Sequence, residues 1–450
     1  MNTDLTALKP ALVWKHFAAM TQIPRPSFHE EKIRRYVLDV ARSLGLECRE
    51  DAAHNVYVRK PASKGMENRA GVILQAHLDM VPQKNNDKKF DFLKDPIRAY
   101  VDGDWVTADG TTLGADNGIG AAAILAVLED DTLEHGPLEA LFTATEETGM
   151  AGAFGLKKGL LKGDILLNLD SETEGELYVG CAGGLDANIR FRSVPEPTPA
   201  RNYTAATVAV KGLKGGHSGI QIVCQRANAN KLLFRLLRRW TAAHDLLLCS
   251  VDGGGLRNAI PREAFAVFGV PAETAGDVCE RCRAFAVEIV EEFKYTEPNL
   301  QMTLNKIGGV EWVLDPVTMQ SLVGALVGLP NGVLAMSHAV EGLVETSSNL
   351  ASVKFGAEGI VVTTSQRSSV ESAKRYAAQT VEAVLRLSGA EVAHSDGYPG
   401  WSPDPDSYLL HVTEQCYERL FAVKPKVRAI HAGLECGLFL EKYPELDMVS

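Results

Sequence analysis

The chain has 450 residues, 46% of them hydrophobic and 23% charged; this is ordinary for a folded globular protein and long enough that two domains are expected. The 46 Lys and Arg against 57 Asp and Glu give a formal charge of -11, which repels phosphate backbones and anionic membranes and argues against nucleic acid and membrane partners. No apolar run approaches the roughly 20 residues that span a bilayer, and the amino terminus shows no basic-then-apolar leader, so a cytoplasmic protein is expected.

Eight cysteines are too few for a disulfide scaffold in a chain of this length. Cys279 and Cys282 form a C-x-x-C within a helical pattern and lack a second pair, so they read as one helix face and not as a zinc site.

Residues 10–20 read as an amphipathic helix, with Leu12, Val13, Phe17 and Met20 at helical spacing. Ile23-Pro24-Arg25-Pro26-Ser27 breaks it, because each proline pushes its predecessor out of the α region. A second helix is expected over 29–44, then strands over 55–59 and 72–76. The second strand delivers His77 and Asp79, two residues apart and therefore on one face, as a metal ligand and its orienting carboxylate would be. Residues 87–104 are polar and read as an exposed excursion.

The glycine-rich run 110–120 leads into an apolar helix and sets Asp116 at or just before its first turn. There Asp116 could cap the helix or bind an ion; the flanking glycines favour a chain bent around a ligand. An apolar strand over 138–144 ends in Glu146-Glu147, a pair that is either solvated or relieved of its repulsion by a cation or a shared proton. In the second case one carboxylate binds metal and its neighbour is a base. A helix is expected over 154–161, and a strand over 165–170 ends in Asp170.

His77, Asp79, Asp116, Glu146, Glu147 and Asp170 thus all fall at strand ends or in the loops after them, where open α/β sheets build their sites. Carboxylates with one imidazole suit zinc, manganese or cobalt, and they exceed what one tetrahedral ion needs. Two ions bridged by a carboxylate are inferred.

The segments AHLDMVP, GTTLGADNGIG, TATEETGMAGA and LLNLDSE resemble the motifs of the dizinc peptidases that include aminoacylase and glutamate carboxypeptidase. Over essentially the whole length the chain is similar to the bacterial aminoacyl-histidine dipeptidases, also called cytosol nonspecific dipeptidases. The resemblance implies an α/β catalytic domain, with a mixed, mostly parallel sheet flanked by helices, in two parts (1–184 and 391–450) around an inserted α+β lid domain (185–390). It implies two zinc ions, one on His77 and Asp170 and the second on Glu147, with Asp116 bridging. Asp79 would orient His77, and Glu146 would be the general base. The implied reaction is hydrolysis of dipeptides with a free carboxylate, including Xaa-His. The alternatives are an amidohydrolase of N-acyl amino acids, a tripeptidase, or a binding protein with impaired catalysis. Small dipeptides are the expected partners, with a homodimer as the candidate assembly.

In the inserted region, strands alternate with helices expected over 227–243, 274–293, 316–327 and 370–387. For His217, in a glycine-rich loop, the resemblance implies a role in polarising the scissile carbonyl, and for Asn258 a contact with substrate. Arg367 closes a strand and either forks onto the substrate carboxylate or makes a surface ion pair. A turn at Gly433 would offer N–H groups to that carboxylate, with Glu435 supporting the site. The family also implies a last ligand His after the strand that begins over 447–450. The sequence stops there, so a shortened chain with a weakly held second ion is expected.

Overall fold

The computed structural model describes residues 5–193, 195–199, 202–241, 246–356 and 359–450. The chain divides into two compact units: Met1–Val179 with Asp404–Arg428 and Leu434–Ser450, and Gly180–Pro403 with Ala429–Gly433.

The first unit is built on a six-stranded sheet in the order Glu47–Glu50, Val56–Lys60, Leu138–Thr143, Val72–His77, Ile165–Asn168, Asp447–Val449. The first two pairings are antiparallel and the next three parallel, so the sheet is mixed and mostly parallel, as the resemblance implies. Its central strands carry near-continuous apolar runs because both faces are covered. On one face Leu74, Ala76, Val56, Val58 and Phe142 pack with Phe17 and Met20 of helix Ala11–Thr21, Ile33 and Val37 of helix Glu31–Ser43, and Ile124 and Leu125 of helix Ala115–Glu129. That last helix is apolar nearly all round and is correspondingly buried.

Strand alternation sends Gln75 and His77 to the opposite face. There Gln75 meets Glu435, the first residue of helix Glu435–Lys442. The helix expected over 154–161 is instead a short one, Ala151–Gly155. The chain leaves it before Lys157-Lys158, and Gly159 turns with φ +81°, a conformation that ends helices readily.

The second unit carries a nine-stranded sheet. Its main path runs Gln301–Lys306, Tyr203–Lys211, Ala264–Pro271, Leu247–Gly254, Val344–Gly356, Gly359–Ser368, Gly183–Phe191, Glu391–His394, with Gly332–Met336 paired beside Val344–Gly356. All these pairings are antiparallel. Four helices, Ala229–Thr241, Ala275–Glu292, Pro316–Gly328 and Glu371–Leu387, match the four expected ones, although residues 242 and 243 of the first expectation lie outside the described residues. Phe234, Trp240, Phe268, Phe285 and Leu322 are among the buried core of this unit. Cys279 and Cys282 lie on helix Ala275–Glu292, and burial pushes the Cys282 thiol up to about 11, out of the range of easy ionisation.

Candidate metal centre

Three adjacent parallel strands end together in the first unit, and their carboxyl ends carry the chemistry. His77 is the last residue of Val72–His77. Asp170 follows Ile165–Asn168 by two residues and Glu146 follows Leu138–Thr143 by three. Asp116 belongs to the first turn of Ala115–Glu129, but Asp116 and Asn117 have non-helical dihedrals and the peptide bond between them is cis. Asp116 does not cap the helix; its side chain turns to His77.

The His77 imidazole is the hub. Its Nε2 lies 2.9 Å from Asp116 Oδ1, 3.2 Å from Asp170 Oδ1 and 4.0 Å from Glu146 Oε2. Its Nδ1 lies 3.3 Å from Asp79 Oδ1 and 3.2 Å from the Asp79 carbonyl oxygen. A proton on Nδ1 directed at Asp79 leaves the Nε2 lone pair aimed at the carboxylates, the tautomer that a metal-ligating imidazole uses. One ligand atom each from His77, Asp116 and Asp170 falls within 4.8 Å of the others. Glu147 is outside that group of three, yet its Oε1 is buried without a hydrogen-bond partner. Unpartnered buried carboxylate oxygen is costly, and a cation would relieve it, so the donor set fits a metal ion.

Asp79, fully buried, does more than orient His77. Its carboxylate accepts the backbone N–H of Glu146 at 3.0 Å and of Glu147 at 3.2 Å, and the Ser27 hydroxyl at 2.7 Å. The same residue thus fixes the imidazole and the turn carrying both glutamates. Thr145 enters that turn with φ 55°, an uncommon conformation for a β-branched residue. Its hydroxyl donates to buried Glu30 at 2.7 Å.

Beneath the ligands runs a polar layer in which Glu435, expected from the sequence to support the site, meets Gln75 and Thr143, residues the sequence does not single out. Gln75 donates to Glu435 Oε2 at 2.7 Å and to Thr143 Oγ1 at 3.1 Å, and Thr143 donates to the same Glu435 oxygen at 2.7 Å. Asn168 donates to Gln75 Oε1, and its own Oδ1 accepts from Ser450 and from the Asp170 N–H. Asn117 donates to Asp170 Oδ1 at 2.8 Å. The available signal was Gln75, a lone polar residue inside an apolar strand.

A cleft of about 520 Å³ opens beside the ligands, lined by Asp116, Asn117, Glu147, Asp170 and Glu172 together with Val81, Leu113 and Leu169. This is ample for a small ligand. Acidic groups dominate the electrostatics. Burial, then the charge of Glu435, pushes the Glu146 carboxyl up to about 9. Burial, then Asp116, pushes Glu147 up to about 7. Burial of His77 opposes its charge, but hydrogen bonds to Asp116, Asp170 and Asp79 outweigh it and raise its pKa well above the ordinary value.

These shifts predict a pH dependence. Carboxyls whose folded pKa is raised contribute stability that is present below their ordinary value of 4.5 and lost as pH rises through the folded value. The metal-free protein should therefore melt at falling temperature between about pH 5 and about pH 9. A metal displaces those protons, so its affinity should rise over the same window. Melting curves with and without zinc, and calorimetric zinc binding in buffers of different ionisation enthalpy, check both; metal uptake without proton release would contradict the assignment.

The remaining expected site residues belong to the second unit. His217 is half-buried, and its Nδ1 accepts the N–H groups of Gly219 at 3.2 Å and Ile220 at 3.1 Å. Its neutral ring must therefore carry its proton on Nε2, presenting a donor. Burial, then the charge of Arg367, holds its pKa below the ordinary value. Asn258 is exposed, and its carbonyl accepts the Ser218 N–H at 2.8 Å. Arg367 is 7% exposed and donates to the Tyr398 hydroxyl at 2.7 Å, while its Nε is buried without a partner. Among the described residues it makes no ion pair, so the surface salt bridge is set aside. Gly433 is half-buried in the turn after strand Lys426–Ile430. His431 is buried, with Nε2 2.8 Å from Ser347 Oγ, and is not one of the three clustered ligands.

Residues 73–450 match the model of peptidase family M20/M25/M40. The chain belongs to this family. It is 45% identical over 448 residues to the cytosol non-specific dipeptidase of Escherichia coli strain K12, covering 100% of this chain and 92% of that protein. The structure of the aminoacylhistidine dipeptidase from Vibrio alginolyticus matches with a TM-score of 0.93 at 45% identity, covering 99% of this chain and 91% of that one. Aminopeptidase PepT from Bacillus cereus, at 14% identity and a TM-score of 0.54, shares the fold over 97% of this chain and 88% of its own. The resemblance read from the four motifs is thereby borne out. As a metallopeptidase of this family, the chain places its candidate ligands on the first unit, which lies largely within the matched segment.

Proposed function

We propose that this chain is a cytosolic, metal-dependent dipeptidase that hydrolyses dipeptides bearing a free carboxylate, including Xaa-His. The observation that carries the reading is the convergence of His77, Asp116 and Asp170 with Glu146 beside them. It is supported by end-to-end likeness to a cytosol non-specific dipeptidase. No helix among the described residues is long and apolar enough to cross a membrane.

His77 and Asp170 would hold one divalent ion, Asp116 would bridge, and Glu147 would hold a second; zinc is the proposed metal, with manganese and cobalt as the alternatives that such ligands suit. Bound there, the metal supplies Lewis acidity and lowers the pKa of a water. Glu146 takes the proton from the attacking water and returns it to the leaving amine, one carboxylate serving as base and then acid. Asp79 holds that carboxylate in place through the two backbone N–H groups it accepts. Among the residues of the second unit, His217 would donate its Nε2–H to the developing oxyanion. Arg367 would pair with the substrate carboxylate, with Asn258 and Gly433 contacting the remainder of the dipeptide.

The test is turnover of β-alanyl-histidine, alanyl-histidine, cysteinyl-glycine, a tripeptide and an N-acetyl amino acid by the purified chain supplied with zinc, manganese or cobalt. Dipeptides should be preferred. Faster turnover of the tripeptide or the N-acetyl amino acid than of every dipeptide would overturn the substrate class.

A further inference from the structure

Arg25 is a charged residue buried to 2% exposure within the first unit, and no step of the proposed reaction uses it. Its Nη1 donates to the carbonyl oxygens of Leu78 at 2.8 Å and Asp79 at 3.0 Å, and its Nη2 donates to the carbonyl of Gly114. One guanidinium therefore ties the turn after His77 to the turn before Asp116. The main chain adds to the tie: Met80 N–H donates to the Arg25 carbonyl at 3.2 Å, Pro26 bridges Met80, and the next residue, Ser27, holds the Asp79 carboxylate. Prolines on both sides of Arg25 bias this segment toward extended backbone.

The glycines around Asp116 make room for the same group. A Cβ on Gly114 would stand 2.7 Å from Arg25 Nη2, and one on Gly118 would stand 2.5 Å from it. Gly114 also has φ +72°, which only glycine adopts without strain. The glycine-rich run thus wraps a guanidinium on its inner side.

We infer that Arg25 is a positioning residue for the metal centre, setting the separation of His77 and Asp116 by clamping the two turns that carry them. A planar fork with fixed donors suits this task, and a lysine ammonium cannot reproduce it. The inference rests on the metal reading above and deepens it.

Charge and position predict opposite signs. Arg25 is a cation facing Asp79, Asp116 and Glu147, so if its charge alone mattered, removing it would tighten cation binding. If it positions the ligands, Arg25→Met and Arg25→Lys should both loosen binding, by the roughly 10–100-fold typical of lost supporting contacts around metal ligands. Zinc affinity is measured by competition with a chromophoric chelator, well below the melting temperature of each variant, and the cobalt-loaded absorption spectrum reports ligand geometry directly.

Gly118→Ala is the second approach, since it keeps Arg25 and its charge but crowds the guanidinium. It should shift the cobalt spectrum in the same direction as Arg25→Lys and remains informative if Arg25→Met fails to fold. Unchanged or tighter zinc binding with an unaltered cobalt spectrum in Arg25→Lys and Gly118→Ala would overturn the positioning role. Failure of the wild-type chain to bind zinc or cobalt at all would instead overturn the metal reading on which it rests.

Discussion

Replacing Glu146 by glutamine should lower kcat by about a thousandfold, the middle of the range for losing a general base, with zinc content and dipeptide affinity close to those of the unaltered protein. The amide keeps the shape of the side chain and cannot take a proton. Glu146 Oε2 stands 4.0 Å from His77 Nε2 and its backbone is fixed by Asp79, so the change should not disturb the ligands. Burial keeps this carboxyl basic, and Glu435 adds to the effect; the cation at His77, Asp116 and Asp170 works in the other direction and brings it toward a working range. Single-turnover assays with equilibrium binding separate the chemical step from affinity. Retained turnover would remove Glu146 from its role, and lost zinc would reassign it as a ligand.

The second large effect concerns the hub. His77→Ala should release the ion held with Asp116 and Asp170, leaving no tightly bound zinc after dialysis against a mild chelator. Both carboxylates approach the same imidazole nitrogen, at 2.9 and 3.2 Å. Without the ring they face one another with nothing between them, which raises the pKa of at least one and further weakens cation binding. Asp79→Asn should give a milder loss, about 10–100-fold in affinity, because it disturbs the orientation of the ligand and leaves the donor in place. A His77→Ala protein that keeps one tightly bound zinc would show that the three clustered groups are not the primary site.

The parts of this centre that could be read from sequence are those whose meaning is local. An apolar strand ending in His-x-Asp, another ending in Glu-Glu and a third ending in Asp each announce themselves within ten residues, and the strand-end rule then joins them. The helices of the second unit were equally legible, since their apolar spacing is continuous. What escaped notice depends on pairs distant in the chain. Arg25 meets Gly114, and Gln75 meets Glu435 across 360 positions; periodicity carries no trace of either. The helix expected over 154–161 fails for a different reason: the backbone turns extended at Leu156 and left-handed at Gly159, which ends the helix at Gly155. The glycines around Asp116 read in sequence as freedom for a chain bent around a ligand, and only the fold shows that Gly114 and Gly118 also make room for Arg25.

The polar layer formed by Thr143, Gln75, Asn168 and Glu435 carries a consequence for assembly. Three of its members sit on neighbouring strands, each two or three residues before a ligand or the base: Gln75 before His77, Asn168 before Asp170, Thr143 before Glu146; the fourth, Glu435, opens helix Glu435–Lys442. Sliding any one strand by a single residue would turn its amide or hydroxyl into the apolar layer opposite and leave the partners buried and unpaired. The layer thus acts as a proofreader of strand alignment during folding. A chain that settles its hydrogen bonds there has already brought its ligands level with one another, before any ion arrives.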